Sequence, residues 1–214
     1  MILASGFASC DYFGQKIIPD EGVSNIIEID SFTTIVAGSF VSAPKKEITE
    51  VEIVPISDQT YTGKAIKPKV TAKQDGRKLT EGKDYQITYQ NNKNIGKATV
   101  ILTGKGDYTG EIMADFHIVP KTVTLSALKS IKSNQLTVKW KKGSGITGYE
   151  IQYSLKKNFK NAEAITIDKA KTTSVTIPEL KSRKKYYVRI RAYKTVNGEN
   201  YYSEWSKAMN QKVK

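Results

Sequence analysis

The chain has 214 residues, 39% apolar and 26% charged, and a net charge of +13. That length holds one large or two ordinary domains, and the composition suits β-rich modules better than a disordered chain; no apolar run approaches the roughly 20 residues of a membrane-spanning helix. A single cysteine, Cys10, excludes an internal disulfide and multi-cysteine zinc or iron–sulfur sites.

The charge is uneven: residues 1–45 carry a net −3, residues 46–120 a net +1 and residues 121–214 a net +15. The change near Pro120 predicts a domain boundary there. Three segments follow, 1–45, 46–120 and 121–214.

The first segment opens "MILASGFASC", with Phe7-Ala8-Ser9 before Cys10. Only nine residues precede the cysteine and none is basic, whereas a secretion signal starts basic and has a longer apolar core. The stretch "GFASCDYFGQKIIPDEGVSNI" fits F-x-x-C-x-x-L…I-P-x-x-V-x-x-I through Phe7, Cys10, Ile18-Pro19, Val23 and Ile26. It resembles one repeat of leucine-rich-repeat surface proteins. Phe13 stands in place of the usual leucine, and one residue is inserted before Val23. A lone repeat cannot bury its own apolar face. The resemblance therefore implies the tail of a longer surface protein, with Cys10 as a small core residue.

Period-two alternation dominates the second segment. Val51 and Ile53 alternate with Glu50 and Glu52, and Tyr85, Ile87 and Tyr89 alternate with polar neighbours. Asp75-Gly76, Glu81-Gly82 and Asn91-Asn92 supply turns. Short strands with turns between them predict an antiparallel sandwich. "TVILTGKGDYTGEI" (99–112) comes close to two phosphate-loop fingerprints and meets neither. Thr109 holds the third glycine position of G-x-G-x-x-G, and Lys105 is followed by Gly106 rather than Ser or Thr. Ala98, Val100 and Leu102 before the glycines, and Ile112, Ala114, Phe116 and Ile118 after them, keep period two. A hairpin is predicted, not a strand feeding a helix. Tyr61-Thr62-Gly63, Pro68 and Val70, Gly82-Lys83-Asp84-Tyr85, Asn92 to Val100, and Gly104 to Gly110 together resemble an Ig-like β-domain of Gram-positive surface proteins. That family is structural and implies no catalytic residue.

In the third segment Leu136, Val138 and Trp140 share one strand face, Tyr149, Ile151 and Tyr153 another, and Tyr186, Val188, Ile190 and Ala192 a third. The Leu180–Tyr186 spacing fits the tyrosine corner, and Trp140 fits a buried core tryptophan. Over roughly 90 residues the segment resembles a fibronectin type III domain, a seven-stranded sandwich. "YYSEWS" is similar to the Trp-Ser-x-Trp-Ser box of cytokine-receptor domains, with Tyr202 in the first tryptophan position. Parity sends Arg189 and Arg191 outward, which predicts a cation–π ladder with Trp205.

The fold class expected is all-β: two tandem antiparallel sandwiches, Ig-like and then fibronectin type III, after a short N-terminal segment. His117, the only histidine, is sent outward by parity and has no sequence-evident partner, so it makes a poor catalytic or metal-binding candidate. No cofactor, metal or catalytic set is expected. The basic cluster Lys181, Arg183, Lys184, Lys185, Arg189 and Arg191 allows two readings. One is a solvated face with the arginines held in the ladder. The other is a contact site for an anionic polymer through Lys184 and Lys185 in a loop and Arg189 and Arg191 on the sheet. Nothing in the cluster reads base edges, so no specific nucleic acid is expected. The reading preferred from sequence is a non-catalytic, monomeric spacer or adhesion region, extracellular or wall-associated, whose partners are polysaccharide or surface protein. Its alternatives are an anionic-polymer binder and an accessory module of a secreted glycan-degrading enzyme.

Overall fold

The computed structural model describes residues 43–214, together with two short paired strands, β1 (Ala8–Ser9) and β2 (Ile18–Pro19). Phe7, Cys10, Phe13, Val23 and Ile26, on which the repeat resemblance rests, lie outside the described residues. Strands dominate; the one helical piece among the described residues is the 3-10 turn Ile48–Glu50. That turn corrects the extended run expected around Val51. Ile48 and Val51 are both buried, so a tight turn brings two apolar side chains into the core from the same side.

The strands of residues 46–119 are short at first: β3 (Lys46–Glu47), β4 (Glu52–Ile53), β5 (Gln59–Thr60), β6 (Ala72–Gln74) and β7 (Arg77–Lys78). Longer ones follow: β8 (Tyr85–Gln90), β9 (Gly96–Gly104), the two-residue β10 (Tyr108–Thr109), and β11 (Glu111–Val119). One sheet runs β5-β11-β9-β8 and another β4-β6-β7, while β3 pairs with β10. Val70, Ala72, Leu79, Tyr85, Val100 and Leu102 fill the space between them.

The glycine-rich stretch is the hairpin between β9 and β11, in register from Thr103↔Glu111 to Gly96↔Ile118. The Gly104 amide donates to the Gly110 carbonyl at 2.9 Å. A Cβ on Gly104 would lie 2.6 Å from the Thr109 backbone nitrogen, and Gly110 has φ +79°, so both positions require glycine. No helix follows, and no phosphate cradle forms.

In residues 125–212, β12 (Leu125–Lys129), β13 (Leu136–Trp140) and β16 (Ser174–Ile177) form one sheet in the order β12-β13-β16. Its partner sheet contains β14 (Gly148–Ser154), β15 (Glu163–Ile167), β17 (Lys185–Val196), β18 (Glu199–Tyr202) and β19 (Met209–Lys212). Its order is β15-β14-β17, with β18 and β19 both on the far side of β17. Trp140 and Tyr186, predicted core residues, are 3% and 6% exposed. The Lys181 amide donates to the Tyr186 hydroxyl at 3.1 Å, which is the predicted corner.

A third apolar cluster joins the two halves. Ile95, Ala98, Phe116 and Ile118 of the first pack with Tyr201 and Val196 of the hairpin between β17 and β18. Gly96 lies against this cluster at φ +138°, with Val196 Cγ1 3.7 Å from where its Cβ would be.

Candidate functional site

β17 alternates buried Tyr186, Val188, Ile190 and Ala192 with half-exposed Tyr187, Arg189 and Arg191. Its neighbour β14 places Gln152 opposite Arg189 and Glu150 opposite Arg191. Arg189 donates from Nε and Nη2 to Gln152 Oε1 at 3.0 and 2.6 Å. Arg191 donates from the same two atoms to Glu150 Oε2 at 3.1 and 2.7 Å. These forks fix both guanidinium planes on the sheet.

The rings that cover those planes come from elsewhere. Arg189 lies 4.3 Å from the Phe159 ring centre and 4.4 Å from that of Trp205. Arg191 lies 4.5 Å from Trp205 and 3.8 Å from Tyr202. The ladder runs Phe159, Arg189, Trp205, Arg191, Tyr202. The predicted ladder is present, and two rings extend it. Tyr202 fills the place of the missing tryptophan. Phe159 comes from the loop after β14, with φ +58°, a conformation that no alternation pattern announces. Burial, and then the neighbouring Arg191 charge, lower the Arg189 pKa, with Glu150 opposing.

Trp205 reaches the ladder because the last strand is interrupted between β18 and β19. There Ser203 and Ser206 turn inward. The Ala192 amide donates to Ser203 Oγ at 3.0 Å and the Ile190 amide to Ser206 Oγ at 3.1 Å. The hydroxyls replace backbone acceptors that a regular strand would supply, and Trp205 between them faces outward. Both serines belong to the box-like stretch "YYSEWS", a resemblance that marks their positions but not their inward turn.

The four residues proposed as anionic-polymer contacts fall into two groups. Lys184 is exposed and follows a turn. Lys185 is not a loop residue: it is the first residue of β17 and pairs with Lys212, because Tyr186 must already be in the strand to enter the core. Four residues of strand, about 13 Å, separate Lys185 from Arg189. Arg189 and Arg191 have both faces stacked and one edge bonded.

His117 does face outward, 47% exposed, but the expectation that it lacks partners is corrected. Its Nδ1 lies 3.4 Å from Asp58 Oδ1, and its ring stands edge-on to Tyr201 at 5.5 Å. Both partners are distant in sequence. They line a cleft of about 380 Å³ where the two halves meet, with Arg191, Tyr202 and Trp205 on its other wall.

A sandwich with this corner tyrosine, buried tryptophan and ladder narrows the family. Residues 119–211 match the fibronectin type III domain. Among solved structures the chain is similar to a myokine structure, at 20% identity and a TM-score of 0.37, covering 44% of this chain and 97% of that one. It is similar to the fibronectin type III domain of human collagen α-1(XX), at 21% identity and a TM-score of 0.37, covering 44% and 86%. It is also similar to the FN1–FN3 domains of chicken CNTN1, at 18% identity and a TM-score of 0.38, covering 56% and 44%. No curated protein matches the sequence.

Proposed function

We propose that residues 46–120 and 121–214 are consecutive domains of a non-catalytic spacer or adhesion region, in a secreted or cell-wall-associated bacterial protein. The observation that carries this reading is the apolar junction. Tyr201, 7% exposed, packs with Phe116 and Ile118, while Val119 is the last residue of β11 and Leu125 the first of β12. A short connection whose flanks share a packed cluster resists bending, and a spacer must hold its ends apart. Pro120, within the connection, fixes one backbone angle. The fibronectin type III domain supports an accessory role, and the Ig-like motifs of residues 61–118 support a surface setting.

The reading is tested by nuclear relaxation of the backbone amides. Residues 46–120 and 121–214 should share one correlation time, and Tyr201→Ala should give each half its own shorter one. Separate correlation times in the unaltered chain would overturn the spacer.

A second reading, an anionic-polymer contact, is favoured by the exposure of Lys184 and Lys185. Arg189 and Arg191 then act as supports of the sheet rather than as contacts.

A further inference from the structure

The end of the fibronectin type III domain remote from the junction gathers loops that are far apart in sequence. The Lys214 amide donates to Ser130 Oγ at 2.9 Å, and the Leu180 amide to the Asn134 carbonyl at 2.9 Å. The Val213 amide donates to the Lys184 carbonyl at 2.9 Å. Ser154, the last residue of β14, is opposite Tyr187 of β17, so the loop that follows it emerges at the same end. Adjacent strands lie about 4.8 Å apart, so the whole end is roughly 20 Å across.

This end is strongly basic. Lys129 ends β12 just before the 130–135 turn, Lys132 lies within that turn, and the 155–162 loop holds Lys156, Lys157 and Lys160. The 178–185 segment adds three lysines and Arg183, the last strand ends in Lys212, and Lys214 follows it. Eleven cations face two carboxylates, Glu163 and Glu179. All eleven are exposed, and none forms an ion pair among the described residues.

Two apolar side chains stand out of the same surface. Ile131 is 69% exposed and Leu155 44%; the only other large exposed apolar side chain among the described residues is Met113, in the other half. A soluble polyanion offers Ile131 and Leu155 nothing. A bilayer carrying anionic headgroups offers both: charge for the lysines, and an apolar layer beneath for the two tips. We propose that this end docks on an anionic lipid surface, with Ile131 and Leu155 entering the headgroup boundary and the surrounding lysines pairing with lipid phosphates. The proposal does not depend on the spacer reading, and a stiff pair of domains without a membrane-facing end would leave that reading intact.

The 214-residue chain is sedimented with phosphatidylcholine vesicles, pure or containing about 30% phosphatidylglycerol, at about 150 mM salt, and heparin binding is measured in parallel. Binding is expected only to the phosphatidylglycerol vesicles. Because each cation near the surface contributes about fivefold, a K132Q/K157Q/K184Q variant should lose well over tenfold in partition. An I131S/L155S variant should lose about tenfold on vesicles while heparin binding stays unchanged, which also shows that the fold is kept. Failure to sediment with the anionic vesicles would overturn the proposal. So would an I131S/L155S variant that still binds them as the parent does, since polyanion attraction alone would then suffice.

Discussion

Tyr186 holds the 178–184 loop with its hydroxyl and fills the core with its ring. Tyr186→Phe keeps the ring and frees the Lys181 amide, so the domain should lose about 1 kcal/mol, read as a lower urea midpoint. An unchanged midpoint would mean that the hydrogen bond contributes nothing. Two other tyrosines carry a pH signature. Burial, and then a hydrogen bond to Glu163, push Tyr153 up to about 12; burial, and then a hydrogen bond to Asp168, do the same for Tyr193. Both folded values are raised, so the fold favours the neutral phenols. Their stabilising contribution is complete below the ordinary value of 10 and is lost as pH rises from there towards 12. Stability measured across that window should fall, and Tyr193→Phe should flatten the fall. Core residues such as Tyr186 were legible in the sequence because strand parity and the Leu180 spacing are local. The partners of Tyr193 and His117 were not, since Asp168, Asp58 and Tyr201 are brought near only by the packing of separate strands.

The interrupted strand between β18 and β19 converts two serines into structural acceptors. Ser203 and Ser206 are 4% and 8% exposed, and each receives a backbone amide of β17. Ser203→Ala or Ser206→Ala leaves a buried N–H unpaired, at a cost of about 1–3 kcal/mol each. Trp205→Ala removes the shared rung of the ladder and two cation–π contacts, each contributing about 0.5–1 kcal/mol at a partly exposed site. Thermal melting of the single variants should rank the buried serines at least equal to the tryptophan, although the tryptophan is the larger deletion. A tryptophan variant that melts far below both serine variants would mean that the ladder, rather than the amide pairing, fixes this edge. The ladder itself was readable from sequence because strand parity sends Arg189 and Arg191 outward and the box-like stretch "YYSEWS" supplies Trp205, although Trp205 lies between β18 and β19 rather than on a strand. Phe159 was not, since loop residues with positive φ follow no period. The Ile48–Glu50 turn was hidden for a different reason: the alternation of Glu50 to Ile53 reads as a strand and masks the three-residue spacing of the buried Ile48 and Val51.

Across the whole molecule, the junction cluster should couple the stabilities of the two halves. Tyr201 and Val196 are anchored in the second sandwich, yet their apolar surface is covered by Ile95, Phe116 and Ile118 of the first. In a separate 121–214 fragment that surface returns to water. Burying one such ring and a valine contributes about 2–3 kcal/mol at roughly 25 cal/mol per Å², so the fragment should unfold at lower urea than the same residues do in the full chain. Tyr201→Ala discriminates between coupling and mere adjacency. In the full chain it should lower the midpoint of the second half and separate its unfolding from that of the first. In the isolated fragment, where the ring is already exposed, it should change little, and the difference between the two effects is the coupling energy. Tryptophan fluorescence reports the second half alone, because Trp140 and Trp205 are the chain's two tryptophans. The sequence marks a boundary near Pro120 but could not show the cluster, because Tyr201 reads as one more strand residue until the hairpin that carries it folds against the neighbouring sheet. Equal effects of Tyr201→Ala in the fragment and in the full chain would mean that the two sandwiches touch without stabilising each other, and the stiffness would then have to come from the connection alone.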